Sequence, residues 1–154
     1  MTTVAAEVDL IESMTAAGST RAMVVMAHPD DNEFVCGGTV ARLTKLGWDV
    51  HLVVTTSGNK GTKDIAVTAQ QLAAEREEEQ RRAAEILGAD EPTFFGFPDG
   101  YIENTNELRG LIVRQLRLHR PDLVITWDGF RPGFNHRDHR RTGRATYDAI
   151  YPAG

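Results

Sequence analysis

The feature that most restricts the fold of this chain is a regular alternation of short apolar runs with longer segments of helical spacing. The apolar runs are Met23–Met26, Trp48–Thr55, Thr93–Phe97 and Leu123–Trp127. Each is too short for a stable helix and is closely followed by Pro, Gly or polar turn residues, which is typical of a buried strand. Strands that alternate with helices form βαβ units, so the pattern predicts a parallel sheet covered by helices on both faces.

Segments with helical spacing lie between these runs. Apolar residues recur there at intervals of three or four, which predicts amphipathic helices. The predicted helices cover residues 37–46, 68–87, 106–119 and about 138–150. A short amphipathic helix within residues 1–20 is expected before the first strand. The whole pattern predicts one α/β domain over residues 1–154, with a Rossmann-like three-layer fold and a mostly parallel sheet.

Composition narrows the class of protein. The 154 residues are 41% hydrophobic and carry a formal net charge of -5, which argues against binding to nucleic acid or an anionic membrane. Cys36 is the single cysteine, so a disulfide scaffold is excluded. The longest apolar stretch, Ala22–Ala27, is too short to span a bilayer, and the N-terminus lacks the basic region of a signal peptide. We therefore expect a cytoplasmic protein.

Four arginines cluster near the C-terminus, although the net charge of the chain is negative. They are Arg137, Arg140, Arg141 and Arg144. Their spacing is compatible with a solvated helix face, and also with a basic rim that attracts an anionic substrate or partner. The sequence leaves both interpretations open.

Two polar clusters follow strands and concentrate metal-ligating side chains. The first, Ala27–Glu33, follows the first predicted strand, and the second, Asn135–His139, follows the fourth. In a parallel sheet the carboxyl ends of the strands meet at one edge, where ligands bind. We therefore expect the two clusters to converge there.

The residue types in these clusters are those of a catalytic zinc site. Such a site has three protein ligands, imidazole or carboxylate, and an open fourth position. His28, one of Asp30 and Asp31, and one of His136 and His139 could supply the ligands. The remaining carboxylate could act as a general base, and the remaining imidazole as a proton or hydrogen-bond donor.

Simpler interpretations are also open. Asp31 or Asn32 could cap the following helix, and we interpret His51 and His119 as ordinary surface or core histidines. Motifs for other chemistries fail, because no G-x-G-x-x-G follows the first strand, no Walker A pattern occurs and Ser57 lacks the G-x-S-x-G elbow.

Five motifs occur in order between about Ala22 and Pro152. They are Ala27–Glu33, Cys36–Thr39, Gly96–Gly100, Arg120–Asp122 and His136–Gly143. Together they resemble the LmbE-like (PIG-L) family of zinc-dependent N-deacetylases. The resemblance implies a Rossmann-like enzyme that uses Zn²⁺ to hydrolyse the amide bond of an N-acetylated amino sugar or sugar conjugate. Iron, cobalt or nickel could replace zinc in such a site.

The resemblance assigns a role to each residue of the two clusters. His28, Asp31 and His139 would be the zinc ligands. Asp30 would be the general base that activates water for attack on the acetyl carbonyl. His136 would stabilise the oxyanion or protonate the departing amine.

The resemblance also draws in residues around these clusters. Asp138 would orient a neighbouring imidazole, or alternatively cap its helix. Arg76 would reach the substrate, or form a structural salt bridge with Asp99 or Glu33. Asp99 would bind sugar hydroxyls, or merely shape its turn. Arg137 stands where the family usually has Pro, which should not disturb the flanking histidines.

Two rival functions use the same residues. One is an amidase that acts on a larger N-acyl conjugate, and the other is a non-catalytic metal- or sugar-binding module. Family members generally continue beyond the helix that ends near Ile150, so we expect this chain to lack part of the substrate pocket. Members are often oligomeric, which makes a homo-oligomer an expectation as well.

Overall fold

A four-stranded parallel sheet forms the centre of the fold. The computed structural model describes residues 8–131, 133 and 135–154. The strands are β1 (Arg21–Met26), β2 (Asp49–Thr56), β3 (Thr93–Phe97) and β4 (Leu123–Thr126). Their order is β3-β2-β1-β4, and every pair is parallel. This confirms the predicted α/β class with a parallel sheet.

Five helices connect and flank the strands. They are α1 (Leu10–Ala16), α2 (Asp31–Lys45), α3 (Ala69–Leu87), α4 (Asn106–His119) and α5 (Arg137–Ala153). The helix predicted within residues 1–20 is α1, although residues 1–7 lie outside the described part, as do Pro132 and Phe134 of the predicted loop before α5. Among the described residues, none of the helices combines the length and apolar character needed to cross a membrane.

The helix boundaries follow from local chemistry. Thr68 and Gln71 form a reciprocal capping box at the start of α3, and Gly88 ends that helix with a φ of 73°. The α2 helix begins six residues earlier than predicted, at Asp31 rather than residue 37. A non-helical residue, Cys36 with φ -143° and ψ 16°, separates its first turn from the remainder. Apolar spacing cannot reveal this polar first turn.

The sheet is covered on both faces because successive β1 side chains alternate between them. Val24 and Met26 pack with Val40 of α2 and Ala84 of α3. On the other face, the apolar side chains of α4 and α5 pack against the sheet. They are Leu108, Ile112, Leu116, Ala145 and Ala149, which lie with Met23 and Val25. Burial of each large aliphatic side chain contributes about 1.5–3 kcal/mol to the free energy of folding.

The topology brings the two polar clusters together. β1 and β4 are neighbours with Val25 paired to Thr126, so the segments that leave them start side by side. Gly143 then allows α5 to press against the segment after β4, since a Cβ at this position would collide with the backbone of Trp127. This close approach sets the N-terminal turns of α5 beside the loop that carries His28.

Candidate metal centre

Three side chains converge at the carboxyl edge of the sheet. His28 Nδ1 lies 3.2 Å from His139 Nε2. Asp31 Oδ1 is 3.2 Å from His139 Nε2, and Asp31 Oδ2 is 3.6 Å from His28 Nδ1. Ligand atoms about 2.0–2.2 Å from a tetrahedral ion are roughly 3.3–3.6 Å apart. The three side chains therefore have the spacing of three corners of a four-coordinate metal site.

The outer nitrogens of the two imidazoles face hydrogen-bond acceptors. His28 Nε2 is 3.2 Å from Asp99 Oδ1 and 3.3 Å from Asp138 Oδ2. His139 Nδ1 is 3.1 Å from Asn135 Oδ1. These acceptors place the ring protons on the outer nitrogens, so the lone pairs of His28 Nδ1 and His139 Nε2 point inward. Metal ligation requires this pair of tautomers.

Asp31 is buried and held as a carboxylate. Its Oδ2 accepts hydrogen bonds from the backbone N–H groups of Ala27 and His28, at 3.1 and 2.9 Å, and from Trp127 Nε1 at 3.2 Å. Burial alone would raise the pKa of Asp31. The contacts of this carboxylate with the side chains of His139 and His28, and the hydrogen bond from the His28 backbone, outweigh burial and keep this pKa well below its ordinary value. The site thus presents a fixed negative charge.

The acidic surroundings favour positive charge at His28. Burial lowers the pKa of this imidazole, but the hydrogen bond and charge of Asp31, together with Asp99 and Asp138, give a net rise. His136 differs, because burial and the nearby His28 lower its pKa. His136 Nδ1 accepts the backbone N–H of Asp138 at 3.2 Å, so the neutral ring carries its proton on Nε2.

Asp138 links the segment after β3 to the loop after β1, which carries His28. It is fully buried, and its carboxylate accepts the backbone N–H groups of Gly100 at 2.6 Å and Ile102 at 3.2 Å while it faces His28 Nε2. The predicted orientation of an imidazole by Asp138 is compatible with this geometry. The alternative, that Asp138 caps α5, is wrong because His136 occupies the cap position.

Asp30 and Arg76 form an ion pair at the mouth of the site. Arg76 Nη2 donates to Asp30 Oδ2 at 2.6 Å and to the carbonyl of Pro29 at 2.9 Å. Salt bridges of Arg76 are therefore present, but the partners are Asp30 and, at 3.7 Å, Glu79 rather than Asp99 or Glu33. Asp30 has a φ of 84°, a left-handed conformation that costs a non-glycine residue about 1–2 kcal/mol.

Six of the eight predicted site residues line one cavity of about 310 Å³ at this edge. It is lined by His28, Asp30, Gly58, Gly61, Arg76, Asp99, His136 and His139. The other two predicted residues, Asp31 and Asp138, are buried and contact the lining histidines. The structure thus brings all eight to one place.

Sequence reasoning missed three residues that hold this arrangement. Trp127 stacks on His139 with ring centroids 3.8 Å apart and also donates to Asp31. Asn135 Oδ1 contacts Nδ1 at the edge of the same imidazole. Gln80 is 2% exposed, and its Oε1 accepts the backbone N–H of Asp30 at 2.9 Å. A signal for Gln80 existed, because it follows Arg76 by one helical turn.

The arginine cluster is largely paired within the chain. Arg137 and Arg141 both pair with Glu103, and Arg144 pairs with Asp148. The fourth arginine donates to a backbone carbonyl. These contacts favour the solvated helix face over a basic rim that attracts an anionic substrate or partner.

A family profile described as PIG-L, GlcNAc-PI de-N-acetylase, matches residues 23–150. The chain belongs to the PIG-L family. This confirms the resemblance drawn from the motifs. A diacetylchitobiose deacetylase of Thermococcus kodakarensis is 37% identical over 134 residues, which cover 87% of this chain and 50% of that protein. A 1D-myo-inositol 2-acetamido-2-deoxy-alpha-D-glucopyranoside deacetylase of Mycobacteroides abscessus is 35% identical over 86% of this chain and 56% of that protein.

Two solved structures have the same fold. An N,N'-diacetylchitobiose deacetylase of Pyrococcus horikoshii has a TM-score of 0.84 and 26% identity, covering 96% of this chain and 61% of that one. A 4-carboxy-2-hydroxymuconate hydratase of Pseudomonas putida has a TM-score of 0.77 and 26% identity, covering 84% and 55%. The PIG-L chain described here spans about half the length of the curated relatives it matches.

Proposed function

We propose that this chain carries the metal-dependent centre of an amide hydrolase that removes the N-acetyl group of an amino sugar or sugar conjugate. The observation that carries the proposal is the convergence of His28 Nδ1, His139 Nε2 and the Asp31 carboxylate, with both outer ring nitrogens facing acceptors. The names of the deacetylase relatives support the class of reaction. Cytoplasmic location, homo-oligomeric assembly and a single domain over residues 1–154 remain predictions.

The donor set is suited to a divalent transition metal. His28, Asp31 and His139 would hold the ion, and zinc, iron, cobalt and nickel all accept two imidazoles and a carboxylate. A bound zinc ion would polarise the amide carbonyl and lower the pKa of water. Asp138 and Asn135 would keep the two imidazoles in their ligating tautomers, since each accepts the proton of an outer nitrogen.

Asp30 is the proposed general base. Its carboxylate lines the cavity, and Arg76 holds Oδ2, which leaves Oδ1 to accept the proton of the attacking water. Water adds to the carbonyl carbon, and the carbon–nitrogen bond then breaks to give acetate and a free amine. Gln80 fixes the backbone of Asp30 in the left-handed conformation that directs this carboxylate.

His136 is the proposed donor to the oxyanion or the leaving nitrogen. It lines the same cavity, and its Nδ1 is engaged by a backbone N–H, so the Nε2 proton is available to the substrate. Arg76 and Asp99 also line the cavity and are proposed to bind sugar hydroxyls. An amidase acting on a larger acyl group would use the same residues.

The decisive experiment measures metal content and acetate release for three proteins. Wild type should hold zinc and release acetate from N,N'-diacetylchitobiose or an N-acetylglucosaminyl inositol. D30N should keep the metal and lose activity by at least about 100-fold, the usual contribution of a general base. H139A should lose the activity and the ion that His28, Asp31 and His139 would hold. D64N, an exposed carboxylate in the loop before α3, is the matched control and should behave as wild type.

The outcomes separate the rival functions. A larger acid released in place of acetate would indicate the amidase. Metal binding with no hydrolysis, and no response to D30N, would indicate a binding module. Absence of metal from wild type would overturn the proposal.

A further inference from the structure

A second group of metal-ligating side chains lies at the opposite edge of the sheet. His51 is near the start of β2, Asp90 follows α3, and His119 is the last residue of α4. We call these three residues the distal cluster. Their ligand atoms all lie within 4.8 Å of one another. They line a cavity of about 350 Å³ whose other walls are Arg21, Ala22, Asp49 and Leu118.

His51 has an unpartnered nitrogen that faces this cavity. The residue is only 6% exposed, and Nε2 is 3.1 Å from the hydroxyl of Thr93. Within the part of the chain that the structure describes, the buried Nδ1 has no hydrogen-bond partner. Asp90 Oδ2 lies 3.9 Å from it, too far for a hydrogen bond. A buried polar group without a partner costs about 1–3 kcal/mol.

The tautomer of His51 determines which of its nitrogens can bind a metal. In the tautomer that donates Nε2–H to Thr93, the lone pair of Nδ1 faces the Asp90 carboxylate at 3.9 Å. A cation can bridge two acceptors that face each other across this gap.

His119 provides the third ligand after a change of side-chain torsion. Its ring stacks on His51 with centroids 3.6 Å apart and an interplanar angle of 14°. Lone pairs of parallel rings do not meet at one point, so the His119 ring must turn about its Cα–Cβ bond. His119 is partly exposed at the C-terminal end of α4. One helical turn earlier, the buried Oε1 of Gln115 also has no partner among the described residues.

We propose that the distal cluster binds a divalent transition-metal ion through His51, Asp90 and His119, at a site separate from the metal centre. Two imidazoles and one carboxylate favour zinc, cobalt, nickel or copper over magnesium or calcium. The ion would join the amino end of β2 to the end of α4 and to the segment after α3. Its role is structural, since an ion that binds only the folded chain raises the melting temperature.

The test removes the metal centre and asks whether one ion still binds. In H136Q/H139A, titration with Zn²⁺ or Co²⁺ alone should give one ion per chain and an increase in Tm. Adding H119Q should abolish both effects, and this half-exposed position should tolerate glutamine. Long-range ¹⁵N–¹H spectra should show a shift of the His51 Nδ1 resonance on addition of zinc. R117Q, on the exposed side of the same helix turn, is the matched control and should retain the ion.

These metal-binding results test the distal cluster whether or not the chain has the proposed hydrolase activity. Failure of H136Q/H139A to bind an ion, or equal binding after H119Q, would overturn it. H119Q introduced alone should reduce the metal content of wild type by one ion and leave acetate release unchanged.

Discussion

The two edges of the sheet contain similar donors in different states of organisation. The candidate metal centre and the distal cluster each have two histidines and a carboxylate, yet among the described residues the donors of the candidate metal centre have more hydrogen-bond partners outside the donor set. Asn135, Asp138 and Trp127 engage the outer atoms of its donors, whereas Thr93 engages one nitrogen of the distal cluster. Suitable donor residues alone therefore do not make a metal site, because the hydrogen-bond partners outside the donor set determine which lone pairs converge.

The difference originates in chain topology. At the carboxyl edge, neighbouring strands β1 and β4 lead into segments that start side by side, so loop residues surround the donors. At the amino edge, the donors come from a strand, a connection and a helix end. Fewer backbone N–H groups are then available to fix the side chains.

The largest effect is expected from Asp31→Asn. The change removes the negative charge between two imidazoles, so metal affinity should fall by more than the about 10–100-fold that loss of an outer partner causes. Metal content after dialysis against a weak chelator measures the loss. Unchanged zinc stoichiometry would mean that Asp31 only orders the loop. The distal cluster should keep its ion.

Asp138→Asn tests the outer partners themselves. An amide can replace one acceptor oxygen but not the charge that faces His28 Nε2 and two backbone N–H groups. Metal affinity should fall about 10–100-fold. Competition with a fluorescent zinc chelator gives this value, and Asp148→Asn on the same helix is the control. Equal metal affinities of the two variants would mean that the outer partners do not organise the donors of the candidate metal centre.

A smaller effect is expected from Gln80→Leu. The backbone N–H of Asp30 loses its acceptor, and the left-handed residue can relax, so kcat should fall about tenfold while KM and metal content stay unchanged. Steady-state kinetics beside Gln70→Leu, an exposed position on α3, measures the change. A parallel loss of metal would show that Gln80 supports the ligands instead.

The smallest effect concerns pH and the distal cluster. The folded chain depresses the pKa of His51 from 6.5 to about 4, so the unfolded chain binds the proton more readily. In the presence of EDTA, stability should therefore fall as the pH drops from about 6.5 towards 4. Urea denaturation at several pH values measures this slope, which should be shallower in H51N. Identical slopes would place His51 in a solvated environment.

The sequence allowed most of the fold to be predicted because strand and helix patterns are local. The range of α4 was predicted without error, and β3 likewise, whereas the start of α2 depends on a polar turn that apolar spacing does not reveal. The motifs predicted eight site residues, which the structure brings to one place, whereas their roles stay predictions and their hydrogen-bond partners were not predicted. Asn135 acts through loop geometry, which no local pattern encodes. Gln80 follows Arg76 by one helical turn, but its contact with the backbone of Asp30 depends on the tertiary fold. His51 and His119 were interpreted as ordinary because a strand and a distant helix end meet only in three dimensions.

The close contact at Gly129 and Gly143 limits which parts of this protein can be redesigned. A Cβ on either would overlap backbone atoms across the contact between α5 and the segment after β4. Trp127, His139 and Asp138 therefore belong to one rigid block that tolerates little remodelling. Laboratory evolution towards a different acyl group or sugar should keep this block constant and randomise the loop around Gly58 and Gly61, which borders the same cavity without carrying a proposed ligand.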